Sequence, residues 1–406
     1  MALLVKNSSQ FTSIMKTDSY SYEDFLWLPK FSYYICGYEI LEAKMTRRRI
    51  LMQLFHWTCV VSHVCCVVTM LKRLIEWDNI GNDFLLIARY TMQFTYVINS
   101  NIKYVVVLQK QAIRRLNGKL AALYPESKQA RIDYSVNDHY WPRPLRVFVA
   151  VYCISSVLVI GQPVLMSVFI YIRTNHYPYL HFYPHYTLDP QQDPLWKYFA
   201  INIVEWLHSD LMIVSNLSTD LWLVHFEMQI CMHLDYIARS LENYQPHWTR
   251  DSIDLKFISQ LVDRHDQLLN LQEDINRIFG GSLLLNLLTT AMLFCNMAVC
   301  AQIQGLSLDG ITLAGFMITT SSQLYLVCCY GEMVQLFSSN ISHAAYNNNW
   351  SDATSAYKKS LVNIILRAQR PAELSAMGYM RISLNTFKEV MSLAYRVYML
   401  VGSAIK

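Results

Sequence analysis

The C-terminal part of the chain joins an apolar run, Ile311 to Leu336, through a polar segment to a last and shorter apolar run, SLNTFKEVMSLAYRVYMLVGSA at 383–404. Each run is long enough to cross a hydrocarbon layer of about 30 Å, which takes about 20 residues of helix. Backbone polar groups in hydrocarbon need internal partners, so runs of this length must be helical. The C-terminal part therefore predicts two membrane helices separated by a segment outside the membrane.

The same pattern recurs along the rest of the chain, which is 53% apolar and only 16% charged. The predicted spans are Ile50 to Leu71, Phe84 to Leu108, Leu145 to Ile172, Tyr198 to Val224, Ile278 to Ile303, Ile311 to Leu336 and Ser383 to Ala404. These runs lack the short alternating strands of a membrane barrel. The sequence thus predicts an all-α protein with seven transmembrane helices.

The distribution of basic residues predicts how the chain is oriented. The N-terminal segment and the second, fourth and sixth loops together hold roughly 24 lysines and arginines, against about five on the other side, and the basic side is normally cytoplasmic. We therefore expect a cytoplasmic N-terminus and an extracellular C-terminus. This is the reverse of a G-protein-coupled receptor, so the most common class of seven-helix protein is disfavoured.

Composition narrows the function classes further. Met1 to Tyr20 lacks the unbroken apolar core of a cleaved signal peptide, so we expect the first span to act as an uncleaved anchor. A net charge of +4 suggests neither nucleic-acid binding nor a polybasic lipid anchor. The ten cysteines lie mainly in the spans without metal-ligand spacing, so neither structural disulfides nor a metal site is expected.

Helical periodicity divides the chain into four parts. Apolar residues recur at helical spacing from Val224 to Leu241 and again, after Pro246, from Leu255 to Phe279, so the fourth and fifth spans should continue as helices into the cytoplasm. The predicted parts are a cytoplasmic N-terminal segment (1–49), six transmembrane helices with these extensions (50–337), a cytoplasmic anchor segment (338–382) and a seventh helix (383–406). A short amphipathic helix, Leu361 to Arg370, is expected in the anchor segment, ended by Pro371.

Three local features bear on the helix bundle. Gly161-Gln162-Pro163 in the third span predicts a kink and room for a cavity beside it. Arg89 and Lys103 in the second span lie near its ends, so their charged groups are expected to extend to the membrane surface. The loop Arg173 to Lys197 is rich in histidine and tyrosine but has no metal-ligand pattern, and we expect it to fold as a lid.

The C-terminal motifs make a specific resemblance visible. Tyr330-Gly331-Glu332, Ile364 to Pro371 with its Arg367-Ala368-Gln369-Arg370 core, and Thr386-Phe387 resemble the C-terminal signature of the insect odorant receptor family. His265 with Leu268-Leu269, leading to Phe279-Gly280, is similar to the same family. The seven spans match over the whole chain, and the residue-level match begins at about Asp263.

The resemblance implies a ligand-gated, non-selective cation channel built as a tetramer around one central pore. It also implies a partner, the olfactory co-receptor, with which a tuning subunit forms a heterotetramer in the dendritic plasma membrane of an olfactory sensory neuron. The co-receptor carries a longer insert between the fourth and fifth spans, so this chain resembles the tuning subunit. The implied ligand is a small volatile odorant, and no cofactor or nucleic acid is implied.

The same resemblance places the odorant in the outer half of the bundle, between the second, third, fourth and sixth spans. An odorant pocket should be concave, apolar and sparsely polar. By depth and helical face, the predicted ligand residues are Tyr90, Phe94, Gly161, Leu165, Phe199, Asn202, Trp206, Thr312, Phe316 and Thr319.

The resemblance also implies that the last helix lines the pore. Leu393, Arg396, Leu400 and Ser403 share one face of that helix, where a ring of leucine-sized side chains can close a narrow pore by dewetting. A full ring of arginines would repel cations, so Arg396 favours a mixed tetramer over a homomer, and it can also turn towards Glu389. Packing of Leu400 against a neighbouring helix is the alternative.

Other functions remain open from the residues alone. A homomeric gustatory-type channel is the nearest alternative, although its usual C-terminal signature differs from the Thr386-Phe387 ending. A transporter would be expected to show internal repeats, which the sequence lacks. A metabotropic receptor of reversed topology would need a cytoplasmic effector surface, for which no motif is present. An enzyme is disfavoured because no nucleophile, metal cluster or phosphate loop stands out.

Overall fold

The computed structural model describes residues 20–35, 47–75, 84–139, 142–183, 186, 188–304 and 308–405. These residues form a bundle of helices with one two-stranded antiparallel hairpin. In chain order the helices and strands are α1 (Tyr22–Ile35), α2 (Arg47–Ile75), α3 (Phe84–Leu108), α4 (Lys110–Leu123), α5 (Lys128–Asp133), α6 (Val136–His139), α7 (Pro142–Thr174), α8 (Leu195–Asn243), α9 (Asp251–Gln304), α10 (Leu308–Asn347), α11 (Ser355–Ala368), β1 (Ser375–Ala376), β2 (Met380–Arg381) and α12 (Leu384–Ile405).

Each of the seven predicted spans coincides with one continuous helix, apart from Ser383, which directly precedes the last helix, and this confirms the all-α, seven-helix prediction. The spans belong to α2, α3, α7, α8, α9, α10 and α12. Within the part of the chain that the structure describes, four helical stretches are long and apolar enough to cross a membrane, namely Arg47–Ile75, Leu145–Thr174, Trp248–Cys300 and Leu313–Asn347.

Two helices are much longer than a bilayer is thick. α8 has 49 residues and α9 has 54, which correspond to about 73 and 81 Å at about 1.5 Å per residue. The turn between them is fixed by Asp254, whose carboxylate accepts from the Tyr244 hydroxyl and from the His247 amide, both at 2.7 Å. The two helices therefore extend together beyond their membrane spans and reverse direction at Asp254.

α8 is the central helix of the bundle. It packs against α1, α2, α3 and α10, and nearly every residue from Leu211 to Leu234 is buried. Trp222 and Phe226 on this helix are among the largest fully buried side chains. Because neighbours cover α8 from Leu211 to Leu234, the polar side chains of that stretch lie inside the protein instead of against lipid.

One such polar contact corrects a prediction. Lys103 was expected to extend to the membrane surface, but only 2% of its surface is exposed, and its Nζ lies 2.8 Å from Oδ2 of Asp220 on α8. Gln323 of α10 also donates to Asp220, and the Thr219 hydroxyl donates to the carbonyl oxygen of Lys103 at 3.0 Å. The buried carboxylate, which sequence periodicity did not reveal as a neighbour, neutralises the lysine where it lies.

The helix predicted in the anchor segment, Leu361 to Arg370, differs from α11 at both ends. α11 begins at Ser355 instead of Leu361 and ends at Ala368. The earlier start is explained by Thr354, whose hydroxyl caps the helix by accepting from the amide of Tyr357 at 3.3 Å. The apolar periodicity that predicted the helix was visible only in its second half.

The C-terminal motifs meet where α10 passes the start of α12. A Cβ on Gly331 would lie 2.3 Å from the carbonyl oxygen of Ile382, so only glycine lets the two segments approach. The Thr386 hydroxyl donates to the carbonyl oxygen of Arg381 at 2.7 Å, and the Phe387 ring packs edge-on against Tyr325 at 5.5 Å. Gly331 and the Thr386-Phe387 pair therefore meet at one junction between α10 and α12.

Candidate ligand cavity

Two adjoining cavities lie among α3, α7, α10 and the loop that follows α7. The large cavity encloses about 310 Å³ and the small cavity about 50 Å³. They share five wall residues, which are Met92, Gln93, Val159, Phe182 and Phe316. The large cavity is at the lower end of the range of about 300 to 1,000 Å³ that small-molecule sites occupy.

The loop between α7 and α8 is folded into the bundle and forms part of both walls. Tyr183 in this loop is 2% exposed, and its hydroxyl lies 2.8 Å from Oγ of Ser209 on α8. Nε2 of Gln93 on α3 donates to the carbonyl oxygen of Phe182 at 2.9 Å. The loop is therefore held by contacts to two helices, and Phe182 lines both cavities.

The first part of the loop, at Tyr177 and Tyr179, is held against α8 by aromatic contacts. Tyr179 stacks on Tyr198 of α8 with ring centroids 4.8 Å apart, and Tyr177 meets the same ring edge-on at 5.7 Å. Burial, followed by the nearby Tyr198, raises the pKa of Tyr177 to about 12. This tyrosine therefore stays neutral at physiological pH.

The walls are mostly apolar, with a few polar groups. In the large cavity the polar residues are Arg89, Gln93, Gln162 and His181. Nδ1 of His181 lies 3.5 Å from Oε1 of Glu205, with only 3% and 1% of the two side chains exposed. An apolar enclosure with sparse, fixed polar groups suits a small organic ligand.

The predicted ligand residues are distributed unevenly around these cavities. Among those whose side chains the structure describes, Phe316 lines both cavities. Leu165, Phe199 and Trp206 are 62%, 44% and 50% exposed on the outside of the chain. The side chain of Thr312 lies outside the described residues.

The remaining predicted residues are near the cavities without forming their walls. Tyr90 is buried, and Phe94 packs against the cluster that contains Tyr183. Asn202 donates to the carbonyl oxygen of Tyr198 at 2.9 Å, and the Thr319 hydroxyl donates to that of Gly315 at 2.9 Å. Gly161 is buried in α7 next to Gln162, which does line the large cavity.

Sequence reasoning missed Gln93, Val159, His181 and Phe182, which line the cavities. Gln93 lies between the predicted Tyr90 and Phe94, so the prediction named the stretch of α3 that borders the cavities but not the residue in it that lines them. The crowding of histidine and tyrosine in the loop was the available signal for His181 and Phe182.

The predicted pore face is open to the surroundings of the single chain. Leu393 and Leu400 are 47% and 69% exposed, and Arg396 and Ser403 are also exposed. Ala394 is buried on the opposite side, where the helix packs against the bundle. Glu389, the alternative partner of Arg396, accepts from Asn385 at 2.7 Å.

Across the described residues, no group of three His, Cys, Asp or Glu side chains could hold a metal ion.

These features define a class of protein: a helical membrane receptor with a mostly apolar internal cavity under an inserted loop. The sequence model described as "7tm Odorant receptor" matches residues 83–395. The chain is 45% identical to Odorant receptor 85f of Drosophila melanogaster, over 97% of this chain and 100% of that protein. It is 28% identical to Odorant receptor 49a of the same species, over 95% and 98% of the two chains. The chain therefore belongs to the insect odorant receptor family; it is a membrane protein and not an enzyme.

A solved structure supports the fold independently. The insect olfactory receptor OR5 from Machilis hrabei, in complex with eugenol, superposes with a TM-score of 0.73 over 94% of this chain and 100% of that one, at 14% identity. The same receptor described without a ligand gives a TM-score of 0.72. The architecture is thus shared at a level of sequence identity that preserves few individual residues.

Proposed function

We propose that this chain is the odorant-binding subunit of a ligand-gated, non-selective cation channel, and that its ligand occupies the large cavity. The observation that carries the proposal is that one helix joins the cavity to the predicted pore helix. α10 places Phe316 in the cavity wall, and nine residues further along the chain its Tyr325 packs on Phe387 of α12. A displacement of α10 by a ligand would therefore act directly on α12.

The energetics of such gating are modest. An odorant of about ten heavy atoms at about 0.5 kcal/mol per atom binds with about 5 kcal/mol, which is weak to moderate affinity. Equal binding to the closed and open states would shift no population, so the ligand must prefer the cavity as it is shaped in the open channel. Two features would differ in arrangement between the closed and the open channel. They are the loop between α7 and α8, which forms part of the cavity wall, and the contact between α10 and α12.

The proposed assembly is a heterotetramer with the olfactory co-receptor, with α12 of each subunit facing the central pore. The exposed Arg396 and Ser403 on α12 support this, because polar side chains of a membrane-spanning helix normally face neighbouring protein or a water-filled path instead of lipid. Arg396 also supports mixed over homomeric assembly, since one or two arginines in the ring leave a cation path that four would close. The proposed location is the dendritic membrane of an olfactory sensory neuron.

The proposal is tested by recording current from cells that express this chain with and without the co-receptor. We expect an odorant-gated cation current within milliseconds that needs both chains and no nucleotide. A response from this chain alone would favour the homomeric gustatory-type alternative. A slow response that requires second messengers, or substrate uptake without channel current, would contradict the channel.

A further inference from the structure

Gln93 presents an unused hydrogen-bond acceptor at the cavities. Its side chain is 7% exposed and lines both of them. Nε2 donates to the carbonyl oxygen of Phe182, which can only accept, so the orientation of the amide is fixed. The other amide atom, Oε1, is buried and has no hydrogen-bond partner among the described residues.

His181 provides a second polar group on the wall of the large cavity. Its side chain is 3% exposed, and Nδ1 faces the Glu205 carboxylate at 3.5 Å. A carboxylate on that side favours the tautomer with its proton on Nδ1, which leaves a lone pair on Nε2. Neither ring nitrogen of His181 has a hydrogen-bond partner among the described residues, and the 3.5 Å approach of Nδ1 to Glu205 is an electrostatic contact. Both groups therefore accept hydrogen bonds.

The other two polar residues of the large cavity differ from this pair. Arg89 and Gln162 both interact with further groups of the protein. The rest of the wall is apolar and supplied by residues such as Met92, Val159 and Phe182. A buried acceptor without a donor is unfavourable, and a ligand that brings a donor relieves that cost.

We propose that the site selects odorants that carry a hydroxyl group on an apolar skeleton, with the hydroxyl donating to Oε1 of Gln93 or to Nε2 of His181. This inference rests on the proposed function and adds the chemical class of the ligand. Ethers, esters and ketones of the same skeleton have no donor and would leave both acceptors unpaired. Water bound at these atoms instead would give no preference for hydroxyl over ether.

The test compares matched ligands on the mixed channel. Alcohols and phenols on linear, terpenoid and aromatic skeletons are applied together with the corresponding fluoride, methyl ether and carboxylic acid. We expect the hydroxyl member of an active set to have about tenfold higher potency than its fluoride or ether, equivalent to about 1.4 kcal/mol. In Gln93→Met this ratio should fall towards one, and His181→Leu should reduce it as well.

The readout separates selectivity from folding. Gln93→Met also removes the hydrogen bond to the carbonyl oxygen of Phe182. If Gln93 had only this structural role, the variant would respond more weakly to all ligands, and its alcohol-to-ether potency ratio would be unchanged. Thr95→Val is the matched control, because Thr95 is buried on the same helix and its hydroxyl already donates to Thr91 at 2.7 Å. This control should keep the wild-type ratio.

Three outcomes would overturn this inference without contradicting the channel. One is equal potency of alcohols and ethers, and another is an alcohol-to-ether potency ratio that is unchanged in both variants. The third is a preference for carboxylic acids, which would assign ligand selection to Arg89. A channel that opens to no odorant of any kind would instead contradict the proposed function.

Discussion

The ammonium of Lys103 on α3 and the carboxylate of Asp220 on α8 lie 2.8 Å apart, with 3% and 4% of their side chains exposed. The pair joins the second and fourth membrane helices inside the bundle, and Gln323 of α10 completes it as a third contact. Three helices therefore meet at one carboxylate. The same α10 lines the cavity and contacts α12, so this junction fixes the helix on which the proposed gating depends.

Removing one partner of this pair should be strongly destabilising. Lys103→Met leaves Asp220 buried without its cation, which typically costs about 3 to 5 kcal/mol. We expect little folded receptor at the cell surface and a lower unfolding temperature for purified protein. The double variant Lys103→Met with Asp220→Met should recover part of the loss, because no charge then stays unpaired.

The control for this prediction is an exposed pair in the same protein. Lys119 lies 2.7 Å from Asp274 but is 59% exposed. Lys119→Met should change stability by about 1 kcal/mol or less. A double variant at Lys103 and Asp220 that is as unstable as the sum of the single changes would contradict the account of the pair.

The close approach of Gly331 to Ile382 predicts that adding one methyl group at position 331 strongly disturbs the junction between α10 and α12. Gly331→Ala would bring a Cβ to 2.3 Å from the carbonyl oxygen of Ile382, which must then move away. We expect the junction between α10 and α12 to open and odorant-gated current to be lost, with reduced thermal stability. Gly315→Ala on the same helix meets nothing within 4 Å and should be neutral or stabilising by about 0.5 to 1 kcal/mol. Normal gating in Gly331→Ala would show that the junction is not needed.

A buried histidine in the extension of α9 predicts how stability depends on pH. Burial, followed by the nearby Arg367 charge, lowers the pKa of His265 to about 4, from its ordinary value near 6.5. Between these values the unfolded chain binds the proton and the folded chain does not, so stability falls as pH is lowered through this window. The cost of moving from pH 7 to pH 5 is about 2 kcal/mol for this one group.

His265→Asn should make the unfolding temperature less sensitive to pH between 7 and 5, whatever its effect on stability at pH 7. Burial also lowers the pKa of His233 to about 3, so part of the pH dependence should persist in the variant. His343→Asn, which changes an exposed histidine, is the control. An identical pH dependence in wild-type and His265→Asn protein would rule out a neutral buried His265.

The exposed Arg396 predicts a change in ion conduction. If it faces the pore of a mixed channel, Arg396→Gln removes a positive charge from the cation path and should raise inward single-channel current or alter rectification. Lys388→Gln, which changes an exposed lysine two turns earlier on α12, should have the smaller effect. An unchanged single-channel current in Arg396→Gln would place that side chain outside the pore.

The sequence was sufficient for the helices because runs of apolar residues and their periodicity are local properties. It could not assign the partner of Lys103, because Asp220 is 117 positions away and only the packed bundle brings them together. The residues of the cavity wall were harder to predict than this ion pair. Phe182 and His181 belong to a loop without periodicity, and Leu165 and Trp206 were chosen on helix faces whose exposure depends on neighbouring helices. Of the predicted ligand residues whose side chains the structure describes, Phe316 is the one that lines the cavities.

The central claim is that a ligand in the large cavity opens the channel through α10. The most direct test is the odorant dose-response of Phe316→Ala in the mixed channel, with Ile318→Ala as the control, since Ile318 is 69% exposed on the same helix. The account predicts that Phe316→Ala raises the half-maximal odorant concentration about tenfold or more at normal surface expression, while Ile318→Ala does not. A Phe316→Ala dose-response that superimposes on the wild-type curve would contradict it.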